Sequence, residues 1–251
     1  MTKPFFSTDK PRVFAHRGFS QPLGLDENTL DAFSAALQHG ATHIESDTQA
    51  TKDGHAVMFH DDNLLRVAGL DAKISDLSLL EIREIRLSNG GTIPTLLDAL
   101  SHFPTANFNL DIKTKSAIEP TISAIEEASA HHRVLVSSFS NPTRRAALKK
   151  LSQPVATSAS ASVALAAWAS HTLLFGLGFN RIIQGVDALQ VPKQFGIATF
   201  AKKTFIDRIR SHQTEIHFWT INDPSEMEYL LQLGADGIVT DRVDLFKLGK
   251  A

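Results

Sequence analysis

Short apolar runs, many of them β-branched, alternate along the chain with longer stretches whose apolar residues return every three or four positions. The short runs predict strands at RVFAHR (12–17), HIESDTQ (43–49), FNLDIK (108–113), VLVSSF (134–139), PVATSA (154–159), DALQV (187–191), EIHFWT (215–220) and GIVT (237–240). The longer stretches predict helices with recognisable ends. Asn28 stands at an N-cap position ahead of an apolar face of Leu30, Phe33, Ala36 and Leu37, with Gly40 just past the end. Asp223, Pro224 and Glu226 spell a helix start and Gly234 its stop, and Asn141-Pro142 reads as a similar start. Eight strands alternating with helices predict an α/β chain folded as a (β/α)8 TIM barrel. A doubly wound sheet is the rival fold. It carries a glycine-rich phosphate turn after its first strand, and neither GxGxxG nor GxxxxGK(S/T) occurs here.

The second interval breaks the rhythm. TKDGHAVMFHDD (51–62) continues the second strand through a tight turn, and residues 63–93 then form an inserted piece after that strand. Ser78 and Glu81 stand in capping-box spacing on a short helix there, with Gly90-Gly91 following. Pro94 opens the barrel helix at 94–102. Barrel loops commonly carry such insertions over the active face. Strand limits are least sharply marked between 160 and 200, and the whole of 1–251 reads as a single domain.

Composition narrows the classes of function. The 251 residues hold 25 Lys plus Arg against 27 Asp plus Glu, so the net charge of −2 gives no basic field for nucleic acid or an anionic membrane. The absence of Cys excludes disulfides, thiolate metal sites and a cysteine nucleophile. No apolar run approaches the roughly 20 residues of a membrane span. Polar residues and prolines interrupt the N-terminal stretch before a signal-peptide core can form. The expectation is a soluble cytoplasmic protein with no membrane span and no nucleic-acid partner.

Barrel enzymes carry their reacting groups at the C-terminal ends of the strands. Here the first strand ends in His16-Arg17-Gly18, the second carries Glu45 and Asp47, and the third carries Asp111 and Lys113. The fourth ends in Ser138-Phe139, and the seventh leads into Trp219 and Asn222. Residues two apart on a strand share a face, so Glu45 points with Asp47, and Asp111 with Lys113. Three carboxylates in one apolar mouth repel one another, and a hard divalent cation relieves that cost. Oxygen-only ligands suit Mg²⁺, Ca²⁺ or Mn²⁺ rather than Zn²⁺. The competing reading pairs these acids with Lys113 and Arg17 in a structural network.

His60 is placed by register. A hairpin loop at Lys52-Asp53 sets it opposite Glu45, and one at Asp53-Gly54 sets it opposite Asp47. Either register returns His60 to the level of the acids, with His16 on the neighbouring strand. Two imidazoles around one cation suit general acid–base work. His39, His102, His131, His132 and His212 fall on or beside helix ends and are assigned no chemistry. Arg17 and Lys113 add positive charge to a site that already wants a cation, which points to an anionic substrate, phosphate best of all. Trp219 either walls the pocket or packs in the core.

AHRGFS (15–20), ENTLDAF (27–33), GATHIESDTQATKDGHAVMFHDDNLLR (40–66), IPTLLDAL (93–100), LDIK (110–113), SSF (137–139) and HFWTINDPSEMEYLLQLGADGIVTDRVDLF (217–246) together resemble the glycerophosphodiester phosphodiesterase family. This is a metal-dependent (β/α)8 group akin to the phosphatidylinositol-phospholipase-C-like phosphodiesterases. HRG, ExD, TKDG and HDD occur in order, and residues 150–200 add little. The resemblance implies His16 and His60 as the acid–base pair, Glu45 and Asp47 as metal ligands, and Arg17 and Lys113 as phosphate contacts. It implies Glu27 at the rim of the site, Trp219 near the substrate, and residues 61–93 as a small inserted subdomain. At the third metal ligand the family carries Glu in an E-x-K strand, whereas this chain has Asp111, one methylene shorter.

The implied reaction is hydrolysis of a glycerophosphodiester to sn-glycerol 3-phosphate and an alcohol. It uses one divalent cation, Mg²⁺ or Ca²⁺, with Mn²⁺ a further candidate. The resemblance also implies attack by the glycerol 2-hydroxyl, a cyclic phosphate, and its opening by water. The rival readings are a phospholipase-D-like activity on lysophospholipids at the same site and a catalytically idle barrel that binds phosphodiesters. Neither GxSxG nor HExxH occurs to support a different hydrolase. Without an element that holds a membrane, the expected substrate is a small water-soluble diester. The helix near LLEIREIRL (79–87) mixes acids with its arginines, and its apolar Leu79, Ile82 and Leu87 are expected to dock it on the barrel; the alternative is that it presents them to an acyl chain, which would make 63–93 a lipid-contact element.

Overall fold

The computed structural model describes residues 3–246, so the domain expected over 1–251 extends past them at both ends. Eight parallel strands form the frame: β1 (Arg12–His16), β2 (His43–Ala50), β3 (Asn107–Ile112), β4 (Val134–Ser137), β5 (Ala156–Thr157), β6 (Ala188–Val191), β7 (Glu215–Phe218) and β8 (Gly237–Thr240). Hydrogen bonding orders them β5-β4-β3-β2-β1-β8-β7-β6, and a parallel bridge between Ser158 and Ala188 joins the two ends into a ring. The longer helices are α1 (Leu30–Gln38), α2 (Leu96–His102), α3 (Ile118–Glu127), α4 (Asn141–Lys150), α5 (Ala161–Leu173), α6 (Lys203–Ser211) and α7 (Pro224–Leu233), and shorter ones span Leu65–Ala68, Leu79–Glu84 and Phe179–Ile183. Their apolar faces close on the strands in two clusters, one around Phe33, Ile44, Leu100 and Phe108, the other around Ile206, Ile216, Phe218 and Ile238. This is the (β/α)8 barrel that the alternation predicts.

Helix starts follow local hydroxyl chemistry, and three of them correct the sequence reading. Asp223 caps α7 as expected, accepting from the amides of Ser225 and Glu226 at 2.9 and 3.0 Å. The cap of α1, however, is Thr29, whose Oγ1 accepts from Ala32 N at 3.2 Å, and Asn28 turns its side chain under the site instead. α4 is capped by Ser140 rather than Asn141, and α2 by Thr95, whose capping box with Asp98 leaves Pro94 outside the helix. In each case a Ser or Thr one residue away reaches the amide that needs an acceptor.

After β2 the chain returns as the strand Ala56–Met58, pairing Thr48 with Met58 and Ala50 with Ala56. The loop is Lys52 to Gly54, so both two-residue loops expected from the sequence are corrected by one position. Gly54 takes the left-handed backbone, φ 85°, that a three-residue hairpin loop requires. Continued regularly, this register would face His60 toward Ser46, but ladder pairing stops at Met58. Phe59 N still donates to Asp47 O at 3.0 Å before the chain leaves the pleat. The insertion then builds its own small core from Phe59, Leu64, Ile74, Ile82 and Leu87. Its helix Leu79–Glu84 starts at the predicted capping box of Ser78 and Glu81.

The N-terminal end of the barrel is plugged. Phe5 and Phe6 pack on Phe14, Leu135, Ala188 and Val239. Beside them Arg12 donates to both oxygens of Glu215 at 2.7 and 2.8 Å.

Candidate active site

The opposite, C-terminal end is open and holds a cavity of about 320 Å³. His16, Arg17, Glu45, Asp47, His60, Asp111, Lys113 and Trp219 line it, while Glu27 stands behind Arg17. Strand register does the gathering. β1 sets His16 beside Glu45, and β3 sets Asp111 beside Asp47. His60 arrives from the end of the hairpin. Arg17 lies in the left-handed region at φ 56°, and Gly18 follows at φ 87°, where a Cβ would come within 2.8 Å of the Ala32 backbone. The glycine lets the β1 loop pass close against α1 and aims Arg17 into the mouth.

Asp47 is the best-supported acid. Its Oδ1 lies 2.6 Å from Lys113 Nζ and its Oδ2 3.5 Å from Arg17 Nε, and Oδ2 also accepts from Asn28 Nδ2 at 3.3 Å. Burial pushes its carboxyl upward, but Lys113, His60 and Arg17 together hold it below the ordinary range. Glu45 has no comparable partner. Among the described residues its side chain accepts from the Arg17 amide at 3.2 Å and from nothing else. Burial, and then the neighbouring Asp47, push it up to about 7. Burial also raises Asp111, against the pull of Lys113 at 2.9 Å.

A divalent cation suits this donor set in charge and hardness, because Glu45 and Asp47 are buried oxygen donors and burial with Asp47 outweighs the more distant charges of His16 and Lys113 on Glu45. The side chains are not drawn together for one as they stand. Among the described residues no three His, Asp or Glu side chains converge closely enough to hold an ion. Lys113 Nζ holds the place between Asp47 and Asp111. The ion-pair network considered as a rival therefore describes the two aspartates and leaves Glu45 outside it.

Both histidines are oriented by a carboxylate. His16 Nδ1 lies 2.7 Å from Asp241 Oδ1, and Asp241 Oδ2 accepts from Asn222 Nδ2 at 2.7 Å. His60 Nδ1 lies 2.6 Å from Asp61 Oδ1, and Asp61 Oδ2 accepts from Arg66 Nε at 2.6 Å. A carboxylate accepts, so each Nδ1 carries the proton and each Nε2 is the unprotonated nitrogen of its ring. Burial works to lower His16, but the Asp241 bond and the charge of Glu45 outweigh it and raise the imidazole above its ordinary value. The sequence reading missed Asp61 and Asp241. Asp61 follows His60 in HDD, and Asp241 stands one residue past the last strand, within reach of the strand-end rule that found the others.

The far wall is apolar. Phe139, Ala161, Leu165, Phe195, Phe200 and Trp219 line it, and the Phe139 and Trp219 rings meet edge-on at 5.9 Å. Phe139 and Phe195 are 61% and 62% exposed, so this wall reaches the rim. Among the described residues none of 61–93 lines the cavity. Ile82 and Leu87 are buried in the insertion's own core, so they dock that segment and are not presented to a chain in the cavity. No helix among the described residues is long and apolar enough to cross a membrane.

Residues 16–245 match the model of the glycerophosphoryl diester phosphodiesterase family. A probable glycerophosphodiester phosphodiesterase 2 of Mycobacterium tuberculosis is 38% identical over 236 residues, covering 94% of this chain and 89% of the relative. The crystal structure of a glycerophosphodiester phosphodiesterase from Thermotoga maritima superposes with a TM-score of 0.74 at 26% identity, covering 95% of this chain and 98% of that one. A phosphodiesterase from Oleispira antarctica, solved in complex with its product sn-glycerol-3-phosphate, gives 0.73 at 27% identity and covers 93% and 94% of the two chains. By fold, by cavity and by sequence the chain is an enzyme, and it belongs to the glycerophosphoryl diester phosphodiesterase family.

Proposed function

We propose that the chain hydrolyses glycerophosphodiesters to sn-glycerol 3-phosphate and an alcohol, with His16 and His60 as a general acid–base pair and one divalent cation as cofactor. One observation carries this reading. Two imidazoles, each held through Nδ1 by an aspartate, line a single cavity with Arg17, Lys113 and the buried acids. Arg17 and Lys113 bind the phosphate oxygens, and Glu27 steadies Arg17 from behind at 3.0 Å. One imidazole takes the proton of the glycerol 2-hydroxyl as that oxygen attacks phosphorus. The other gives its proton to the departing alkoxide. In the second step the two exchange roles while water opens the cyclic phosphate. Glu45, Asp47 and Asp111 are the proposed ligands of Mg²⁺ or Ca²⁺, with Mn²⁺ a further candidate. A cation bound there would draw charge from a non-bridging phosphate oxygen.

The test is turnover of glycerophosphocholine and glycerophosphoethanolamine with chelator, and again with each cation restored. Loss and recovery of turnover support the reading. Full turnover in metal-free enzyme removes the cation, and diester binding without turnover identifies an idle barrel. The apolar wall favours a second reading, a lysophospholipid substrate whose chain lies along Phe139, Leu165 and Phe195. A kcat/KM for lysophosphatidylcholine below its micelle concentration that exceeds the value for glycerophosphocholine by about tenfold decides for it, the size of discrimination that a few apolar contacts supply.

A further inference from the structure

The insertion lines no part of the cavity, yet one of its side chains reaches the site from two directions. Arg66 Nε donates to Asp61 Oδ2 at 2.6 Å, and its Nη1 and Nη2 donate to Glu27 Oε2 and Oε1 at 3.0 and 2.6 Å. Both carboxylates pass the contact on. Asp61 Oδ1 receives His60 Nδ1 at 2.6 Å, and Glu27 Oε1 receives Arg17 Nη1 at 3.0 Å. We propose that Arg66 is a positioning residue for the reaction, one that fixes His60 and Arg17 relative to each other through Asp61 and Glu27. This rests on the reading of His60 as an acid–base group and Arg17 as a phosphate contact.

A purely architectural role accounts poorly for this arrangement. The Arg66 side chain is 49% exposed, so solvent screens its ion pairs and even this bidentate arrangement contributes only modestly to stability. The insertion is fastened elsewhere. Asp26 accepts from the amides of Asn89 and Gly91 at 3.1 and 2.9 Å, tying its far end to the loop that carries Glu27. Arg66 is therefore not the sole fastening of the subdomain among the described residues. What it adds is geometry. A guanidinium presents donors on three nitrogens in a fixed plane, which lets one group span two carboxylates where an ammonium acts as a point charge. Without it Asp61 is free to turn from His60, and the imidazole loses the partner that sets its tautomer. Glu27 is then left with Arg17 alone and pulls it from the phosphate.

The experiment compares Arg66→Met and Arg66→Lys with wild type in kcat, KM and thermal melting, using glycerophosphocholine. Both variants should lose roughly 10- to 100-fold in kcat/KM, the usual effect of removing a group that orients an active residue. Their melting temperatures should stay near wild type. The loss should divide between a lower kcat, through His60, and a higher KM, through Arg17. Millimolar guanidinium ion should restore part of the activity of Arg66→Met and none in wild type. Arg66→Met should also cost much less on an Asp61→Asn background than alone. Wild-type kcat/KM in Arg66→Met, full activity in Arg66→Lys, additivity with Asp61→Asn, or a loss that tracks a fall in melting temperature would each overturn the proposal. His60→Ala separates the two levels. If that variant is active, the acid–base reading itself has failed. If it is inactive while Arg66→Met is intact, only the role of Arg66 falls.

Discussion

Glu45 and Glu215 sit at opposite ends of the same barrel, and they are buried almost equally, at 9% and 8% exposed. Their carboxyls are nevertheless driven in opposite directions. Burial tends to raise both. At Glu215 it is overcome by the Arg12 fork and by His217 Nε2 at 3.0 Å, and the acid falls well below the carboxylate range. Glu45 has one backbone amide and an acidic neighbour, and it is pushed up to about 7. Burial thus sets the size of the problem, and the partners decide its sign. The plugged end solves it internally, with Phe5 and Phe6 sealing the ion pairs from water. The open end leaves it unsolved, and that is the condition under which an external cation or an anionic substrate between cationic side chains gains affinity.

If one end is built for chemistry and the other for stability, substitutions should separate the two. The largest effect belongs to the mouth. His16→Ala and His60→Ala should each lower kcat by roughly 10²- to 10⁴-fold, with thermal melting nearly unchanged. A histidine variant with near-normal kcat in steady-state assays breaks the assignment of that residue.

The next effect belongs to the plug. Glu215→Gln leaves Arg12, 2% exposed, without its counter-charge and should cost about 3–5 kcal/mol in urea unfolding. The kcat of the folded fraction should be that of wild type. Because the folded value of Glu215 is depressed, its contribution is full above the unfolded carboxylate value of about 4.3 and fades as pH falls through the lower folded value. Wild-type stability should decline over that acid range, and Glu215→Gln should decline less. Parallel acid profiles for the two proteins would show that the Arg12 pair contributes nothing through charge.

A smaller effect comes from supplying the cation proposed for the mouth. A cation present at a hundred times its Kd should stabilise the fold by about 2.7 kcal/mol, by mass action. Glu45→Gln and Asp47→Asn should abolish that shift without touching the plug. An unchanged cation-induced shift in Glu45→Gln, read by differential scanning calorimetry, would place the ion elsewhere.

The two ends were not equally legible in the sequence. Strand ends follow a local rule, since residues two apart share a face, and so the cluster of Glu45, Asp47, Asp111 and Lys113 could be read directly. The plug could not, because Arg12 and Glu215 lie 203 positions apart and no spacing connects them. Asn28 was misread for a similar reason. Its type fits a cap, but Thr29 beside it does too, and only the site beneath reveals that Ser46 Oγ donates to Asn28 Oδ1 at 2.6 Å. Of the apolar wall, Phe139 and Trp219 stood at strand ends and could be read, whereas Ala161, Leu165, Phe195 and Phe200 were hidden in 160–200, where short strands leave no clear limits. The hairpin shows how a wrong local detail can leave a right conclusion. Its loop is one residue longer than either expected loop, yet His60 reaches the cavity because the ladder ends before it.

The smallest predicted effect decides to which end of this comparison Asp111 belongs. Asp111 is buried, 2.9 Å from Lys113 Nζ, and accepts from Ser137 Oγ at 3.4 Å. As it stands it resembles the acids of the plug more than it resembles Glu45, since a cation of the chain already faces it. Yet burial still leaves its carboxyl raised, so the pairing with Lys113 is incomplete in a way that Arg12 and Glu215 are not. Asp111→Glu adds one methylene and so lengthens the reach of the carboxylate beside Asp47. It should keep turnover within several-fold of wild type and bind the cation more tightly. Asp111→Asn keeps the shape and removes the charge, and it should weaken cation activation by roughly ten- to a hundredfold, the range seen when a supporting group of a metal site is lost. Both are read from the cation concentration that gives half-maximal turnover. If Asp111→Asn is activated at the same concentration as wild type, Asp111 is a partner of Lys113 alone, and Glu45 and Asp47 are the acids the mouth offers to a cation.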